Sequence, residues 1–117
     1  RIALSLPEVE ERETWGHPTF RVRNKMFALI AGDASSASVK ATELAQTALT
    51  ASDPVVFFKP AYVGVHGWVG ITLAAVDPGE LRELVIEAWL LTAPKRLTRV
   101  FQLEAGMPGE RTTADRD

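Results

Sequence analysis

The chain has 117 residues, of which 46% are hydrophobic. This length supplies one domain with a sizeable core and is too short for two. Thirteen basic residues against fifteen acidic ones give a formal charge of −2, so a nucleic-acid-binding role requires a local basic patch. The sequence contains no cysteine, which excludes a disulfide framework and a thiolate metal site, and we expect a cytoplasmic protein. No apolar stretch approaches the ~20 residues that a membrane span needs.

The start of the chain is mostly apolar. Residues 2–6 are predicted to form the last turn of a helix that begins upstream, and Pro7 ends it. Four glutamates follow before Trp15, and we interpret them as a solvated face; they are Glu8, Glu10, Glu11 and Glu13. At the other end, residues 104–117 are polar and broken by glycine and proline. A solvated tail is therefore predicted there, and a single folded domain over residues 1–103.

Apolar and β-branched runs predict the strands. Residues 20–23 alternate apolar and basic side chains, and residues 26–30 are apolar. Asn24-Lys25 lies between them and predicts the turn of a β-hairpin. Further strands are predicted over residues 38–40, over residues 55–59 and within the β-rich stretch 62–76.

Capping residues predict the helices. Thr42 is suited to cap a short helix over residues 43–50. Asp77, followed by Pro78, begins the clearest helix, which ends near Thr92. A last short helix is predicted over residues 95–103. Because no regular alternation of strand and helix is present, we predict an α+β fold, with a mainly antiparallel sheet packed against N- and C-terminal helices.

No pattern of catalytic residues is present. The only histidines, His17 and His66, are too far apart for a helical metal pair. The glycines of residues 64–70 match neither the dinucleotide fingerprint nor a P-loop, and no serine has the context of a nucleophile elbow. We therefore expect a protein that is not an enzyme, with no metal and no cofactor.

Two basic segments and two aromatic segments leave two binding hypotheses open. Arg21, Arg23 and Lys25 decorate the predicted hairpin, and Lys95, Arg96 and Arg99 form a second segment without acids. From the residues alone, both segments are best interpreted as solvated faces. Alternatively, a partner or a small ligand occupies a cleft lined by Trp15, His17, Tyr62, His66 and Trp68, since both tryptophans adjoin turn residues.

An ordered set of short motifs resembles the MmcQ/YjbR family of small bacterial proteins. The motifs are LPEVEE at residues 6–11, WGHPTFRV at 15–22, KMFA at 25–28, PAYVG at 60–64, GWV at 67–69 and APKRL at 93–97. Together they cover nearly all of the predicted folded part, from about residue 3 to residue 101.

The resemblance implies a compact α+β fold and a DNA-binding role that uses a double wing of β-hairpins. It would make Arg21, Arg23 and Lys25 phosphate contacts on one hairpin. Lys59 and the group Lys95, Arg96 and Arg99 are further candidates by position and charge. The negative net charge argues against tight non-specific binding. No recognition helix with base-reading residues is visible, so we expect weak, phosphate-driven contact with little sequence preference. A monomer is favoured.

Overall fold

The architecture is an antiparallel sheet with helices against it, as predicted. A computed structural model describes residues 2–105. The strands are β1 (Val9–Thr14), β2 (His17–Val22), β3 (Lys25–Ile30), β4 (Ser36–Val39), β5 (Phe57–Phe58) and β6 (Val69–Thr72). The helices are α1 (Glu43–Ser52), α2 (Pro78–Thr92) and α3 (Lys95–Ala105), with 3-10 turns at Ala3–Ser5 and Val63–His66.

The six strands form one sheet in the order β1-β2-β3-β4-β6-β5. Every neighbouring pair is antiparallel. The predicted hairpin is confirmed, although β2 begins earlier than expected, at His17, and the turn lies at Arg23-Asn24. The pairing of β2 with β3 shifts register between Phe20 and Arg21. Strand β3 therefore contains a β-bulge opposite these two residues.

The core lies between one face of the sheet and the helices. Val22, Val39 and Val69 are buried on that face, and Phe27 and Ile71 are fully enclosed beside them. Helix α2 packs over β3 and β4, and α1 packs beside β5 and β6. Burial of these side chains is the main source of stability, at roughly 1.5–3 kcal/mol for each large one.

Several predicted elements have different extents in the structure. The predicted N-terminal helix end is a single 3-10 turn, and the carbonyl of Pro7 accepts a hydrogen bond from Trp89 Nε1 at 3.1 Å. The acidic segment read as a solvated face is strand β1 at the sheet edge. In the β-rich stretch 62–76, residues 69–72 form the strand, and strand structure within 55–59 is confined to Phe57 and Phe58.

The predicted helix caps are confirmed. Thr42 Oγ1 accepts a hydrogen bond from the Ala45 amide at 3.1 Å, and Asp77 Oδ2 accepts one from the Glu80 amide at 3.1 Å. Helix α3 continues to Ala105, two residues beyond the predicted boundary. The remainder of the predicted polar tail, residues 106–117, lies outside the described residues. None of the helices within residues 2–105 is long and apolar enough to cross a membrane.

Candidate nucleic-acid interface

Strand register brings together basic residues that are far apart in sequence. Lys25 begins β3, Lys40 follows β4 and Lys59 follows β5. Val22 pairs with Lys25, Val39 pairs with both Ala28 and Val69, and Phe58 pairs with Gly70. Because neighbouring strands are antiparallel, the start of β3 and the ends of β4 and β5 therefore lie at the same end of the sheet. We call this the basic end, defined by Arg23, Lys25, Lys40 and Lys59. Three strand spacings, about 14 Å, separate β3 from β5 there.

The members of the basic end differ in exposure. Arg23, Lys25 and Lys59 are exposed, whereas Lys40 is half-buried in a groove that Glu87 of α2 also lines. Lys40 is not among the residues predicted for the site; it was taken as the last residue of the strand predicted over residues 38–40. The structure ends that strand one residue earlier, at Val39.

Helix α3 places its first turn near the basic end. The hydrogen bond from Arg23, with the charges of Arg23 and Arg96, holds the pKa of Glu8 below its ordinary value of 4.5. Arg96 therefore lies within electrostatic reach of the Arg23–Glu8 pair. Lys95 and Arg99 are exposed on the same helix, and one residue from each predicted basic segment, Arg23 and Arg96, lies near Glu8.

The first turn of α3 contains basic residues and no acidic one. Cations are disfavoured at a helix N-terminus, because the backbone dipole is positive there. Lys95 and Arg96 therefore weaken the helix slightly and add to the positive potential of this surface. Such an arrangement favours an anionic partner.

Arg21 has a different environment from the one expected. It is half-buried on the sheet face opposite the core. Its Nη2 donates to Thr14 Oγ1 at 3.3 Å, its Nη1 approaches the carbonyl of Asn24 at 3.4 Å, and its buried Nε has no partner within residues 2–105. Arg23 is a turn residue with φ of 50°, so the alternation that would align Arg21 with Arg23 ends at Val22.

Strand β1 and the residue before it bring acids beside the basic hairpin. Arg23 is bound to Glu8, and Arg12 is bound to Glu10 at 2.9 Å. These are the ion pairs within residues 2–105. Part of the hairpin's positive charge is therefore neutralised inside the protein, while Lys25, Lys59, Lys95, Arg96 and Arg99 have no carboxylate within 4.0 Å among the described residues.

The alternative cleft is not formed as a single site. Trp15 is 92% exposed in the β1–β2 turn, and His17 beside it has its ring 3.6 Å from where a side chain on Gly32 would begin. These residues occupy the end of the sheet opposite the basic end. Tyr62 and His66 are exposed in the segment before β6, and Trp68 is buried there. The structure thus separates the five residues into two groups.

A second feature is an apolar cavity of about 320 Å³ over the core face of the sheet, lined among others by Phe20, Ile30, Leu81 and Val85. None of the predicted site residues lines it. Within residues 2–105, no group of three or more histidine, cysteine or acidic residues is placed to hold a metal ion.

Comparison with known proteins defines the class. The family model described as YjbR matches residues 4–91, and this chain belongs to the YjbR family. The crystal structure of protein DR2400 of Deinococcus radiodurans, described as a DUF419 domain, has the same fold: the TM-score is 0.73 over 99% of this chain and 91% of that one, at 22% identity.

The curated relatives are mycobacterial. The uncharacterized protein Rv2570 of Mycobacterium tuberculosis is 37% identical over 59 residues, which is 50% of this chain and 46% of that protein. The uncharacterized protein Mb2600 of Mycobacterium bovis matches to the same extent. The chain spans about half the length of the curated relatives it matches.

Proposed function

We propose that this protein binds nucleic acid weakly, through phosphate contacts at the basic end and the first turns of α3, without catalysing a reaction. The observation that carries the proposal is the convergence of basic residues from β3, β5 and α3 at one end of the sheet. Phosphate contacts require exposed cations in a cluster but no particular order in the sequence.

The acid just before β1 and the net charge of the chain explain why the binding is expected to be weak. Glu8 forms an ion pair with Arg23, and the whole chain carries a formal charge of −2. The expected phosphate contacts are the exposed cations of the basic end and of α3 that have no carboxylate partner within residues 2–105. They are Lys25, Lys59, Lys95, Arg96 and Arg99.

The alternative, a ligand cleft between the two tryptophan segments, has less support. Trp15 and Trp68 lie at opposite ends of the sheet, and Trp68 is buried. His17 and His66 are separated in the same way, so no cleft combines their imidazoles.

The test is a fluorescence-anisotropy titration with short double-stranded DNA at low and then physiological salt. The logarithm of the association constant should fall linearly with the logarithm of salt concentration. The slope should be about −0.9 for each phosphate contact. Lys59→Ala should weaken binding and reduce that slope by about one contact.

Arg82→Ala is the matched control, because Arg82 is an exposed cation on α2, outside the basic end, and its removal changes the net charge by the same amount. It should leave the salt slope unchanged. Equal effects of the two variants, or no binding even at low salt, would contradict the proposal.

A further inference from the structure

The segment between β5 and β6 presents one aromatic side chain to solvent. Tyr62 is 92% exposed and has φ of 65° and ψ of −68°. The Val63 amide donates to the carbonyl of Ala61 at 2.7 Å, which closes a γ-turn of the rare type. This conformation is strained for any residue except glycine, so the ring of Tyr62 is presented at a conformational cost.

Contacts made by the residues on either side of Tyr62 in the chain hold this turn in place. The Gly64 amide donates to the carbonyl of Pro60 at 3.0 Å. Gln46 of α1, which is buried, donates from Nε2 to the carbonyls of Gly64 at 2.8 Å and Trp68 at 2.6 Å. A side chain on Gly64 would begin 2.7 Å from Lys59 Cγ, so the stem of Lys59 packs directly on this turn. The backbone that carries Tyr62 is therefore fixed to the fold.

The chemistry around Tyr62 combines a ring with positive charge. Lys59 is exposed three residues before it and belongs to the basic end, and His66 is exposed four residues after it. An exposed aromatic face beside a cation is the combination that binds single-stranded nucleic acid, in which a base stacks on the ring while the adjoining phosphate meets the cation. In a duplex the bases are already stacked on one another, so the ring gains no such partner.

We infer that the basic end takes single-stranded nucleic acid in preference to a duplex, with an unpaired base stacked on Tyr62 and its phosphate at Lys59. This inference rests on the proposed function. It adds the class of nucleic acid and a residue that provides affinity without charge.

The experiment compares two fluorescent probes, an oligothymidylate of about 15 nucleotides, near the upper end of known site sizes, and a duplex of the same length. Wild-type protein should bind the single strand more tightly. Tyr62→Ala should weaken single-strand binding about tenfold, as expected for a lost stacked base, and leave duplex binding unchanged. Tyr62→Phe, which keeps the ring, should bind like the wild type.

Trp15→Ala is the matched control, since Trp15 is equally exposed but lies at the opposite end of the sheet. It should leave both affinities unchanged. Equal weakening by Trp15→Ala and Tyr62→Ala, or no effect of Tyr62→Ala, overturns the inference.

Two further outcomes separate the inference from the proposed function. If Lys59→Ala weakens both probes while Tyr62→Ala weakens neither, the role of Tyr62 is wrong and the phosphate-binding surface stands. If neither probe binds at low salt, both proposals fail, and Tyr62 becomes a candidate contact for a protein partner.

Discussion

Arg23 and Glu8 are joined by two hydrogen bonds between the β2–β3 turn and the residue before β1. Arg23 Nε donates to Glu8 Oε1 at 2.5 Å, and Nη2 donates to Oε2 at 3.3 Å. Both side chains are about half exposed, so the pair contributes little to stability. The main consequence of the pair is that the Glu8 carboxylate neutralises Arg23, one of the cations of the basic end.

Glu8→Gln is therefore expected to strengthen nucleic-acid binding. The substitution releases Arg23 and removes one negative charge, and an increase in affinity of about two- to fivefold is expected, on the scale of one surface ion pair. Anisotropy titration with a short oligonucleotide measures it. Glu11→Gln is the control: it makes the same change in charge at an exposed β1 residue that forms no ion pair within residues 2–105.

The same pair has a defined pH dependence. Because the hydrogen bond from Arg23 lowers the pKa of Glu8 below its ordinary 4.5, the pairing stabilises the fold above that pH and is lost as the pH falls through the lowered value. Chemical denaturation at several pH values should show the wild type losing its small advantage over Glu8→Gln only below about pH 4.5. An advantage that persists at lower pH would contradict this assignment.

The elements that were predicted correctly are those whose sequence signals lie within a few residues of one another. The hairpin and the two caps depend on residues close together in the chain, such as Asp77 with Glu80, and the patterns identify them. Strand β1 was missed because its glutamates are exposed on an edge strand, and no alternation of apolar and polar residues marks it. The basic end was also not predictable, because it is created by the register between distant strands.

Exposure of the aromatic residues was equally undetermined by sequence. Trp15 and Trp68 both adjoin glycine, yet one is exposed and the other buried. What separates them is position in the sheet: Trp15 lies in the turn of the edge hairpin, while Trp68 precedes an interior strand. Neighbouring residue types do not report that difference.

Gln46 is expected to be a determinant of stability. Its amide joins α1 to the carbonyls of Gly64 and Trp68 in the segment before β6. Gln46→Leu removes both hydrogen bonds in a buried site and should lower the free energy of unfolding by about 1–3 kcal/mol. Urea denaturation measures the loss. Thr47→Ala, at the exposed neighbouring residue, should change stability by less than about 0.5 kcal/mol.

Gly70 and Phe58 are expected to be energetically coupled. They are directly paired across β5 and β6, and a side chain on Gly70 would begin closer to the Phe58 ring than contact allows. Gly70→Ala alone should cost about 1–3 kcal/mol through overpacking.

In the Phe58→Ala background the clash is absent, so the cost of Gly70→Ala should largely disappear. The double-mutant cycle, measured by denaturation, should give an interaction energy of about 0.5–3 kcal/mol. Additive effects would show that the ring does not lie over Gly70 in solution.

Tyr62→Gly is expected to raise stability while lowering affinity for single strands. Relief of the strained γ-turn is worth about 1–3 kcal/mol, and the greater freedom of glycine in the unfolded chain offsets about 0.5–1 kcal/mol of it. A net gain of about 1 kcal/mol should raise the melting temperature by several degrees. Tyr62→Ala removes the same ring but keeps a residue for which positive φ is unfavourable, so it should not be stabilised. If Tyr62→Gly instead lowers the melting temperature, the turn is not strained. Exposure of the Tyr62 ring then has no conformational cost, and the strain gives no support to a binding role for this residue.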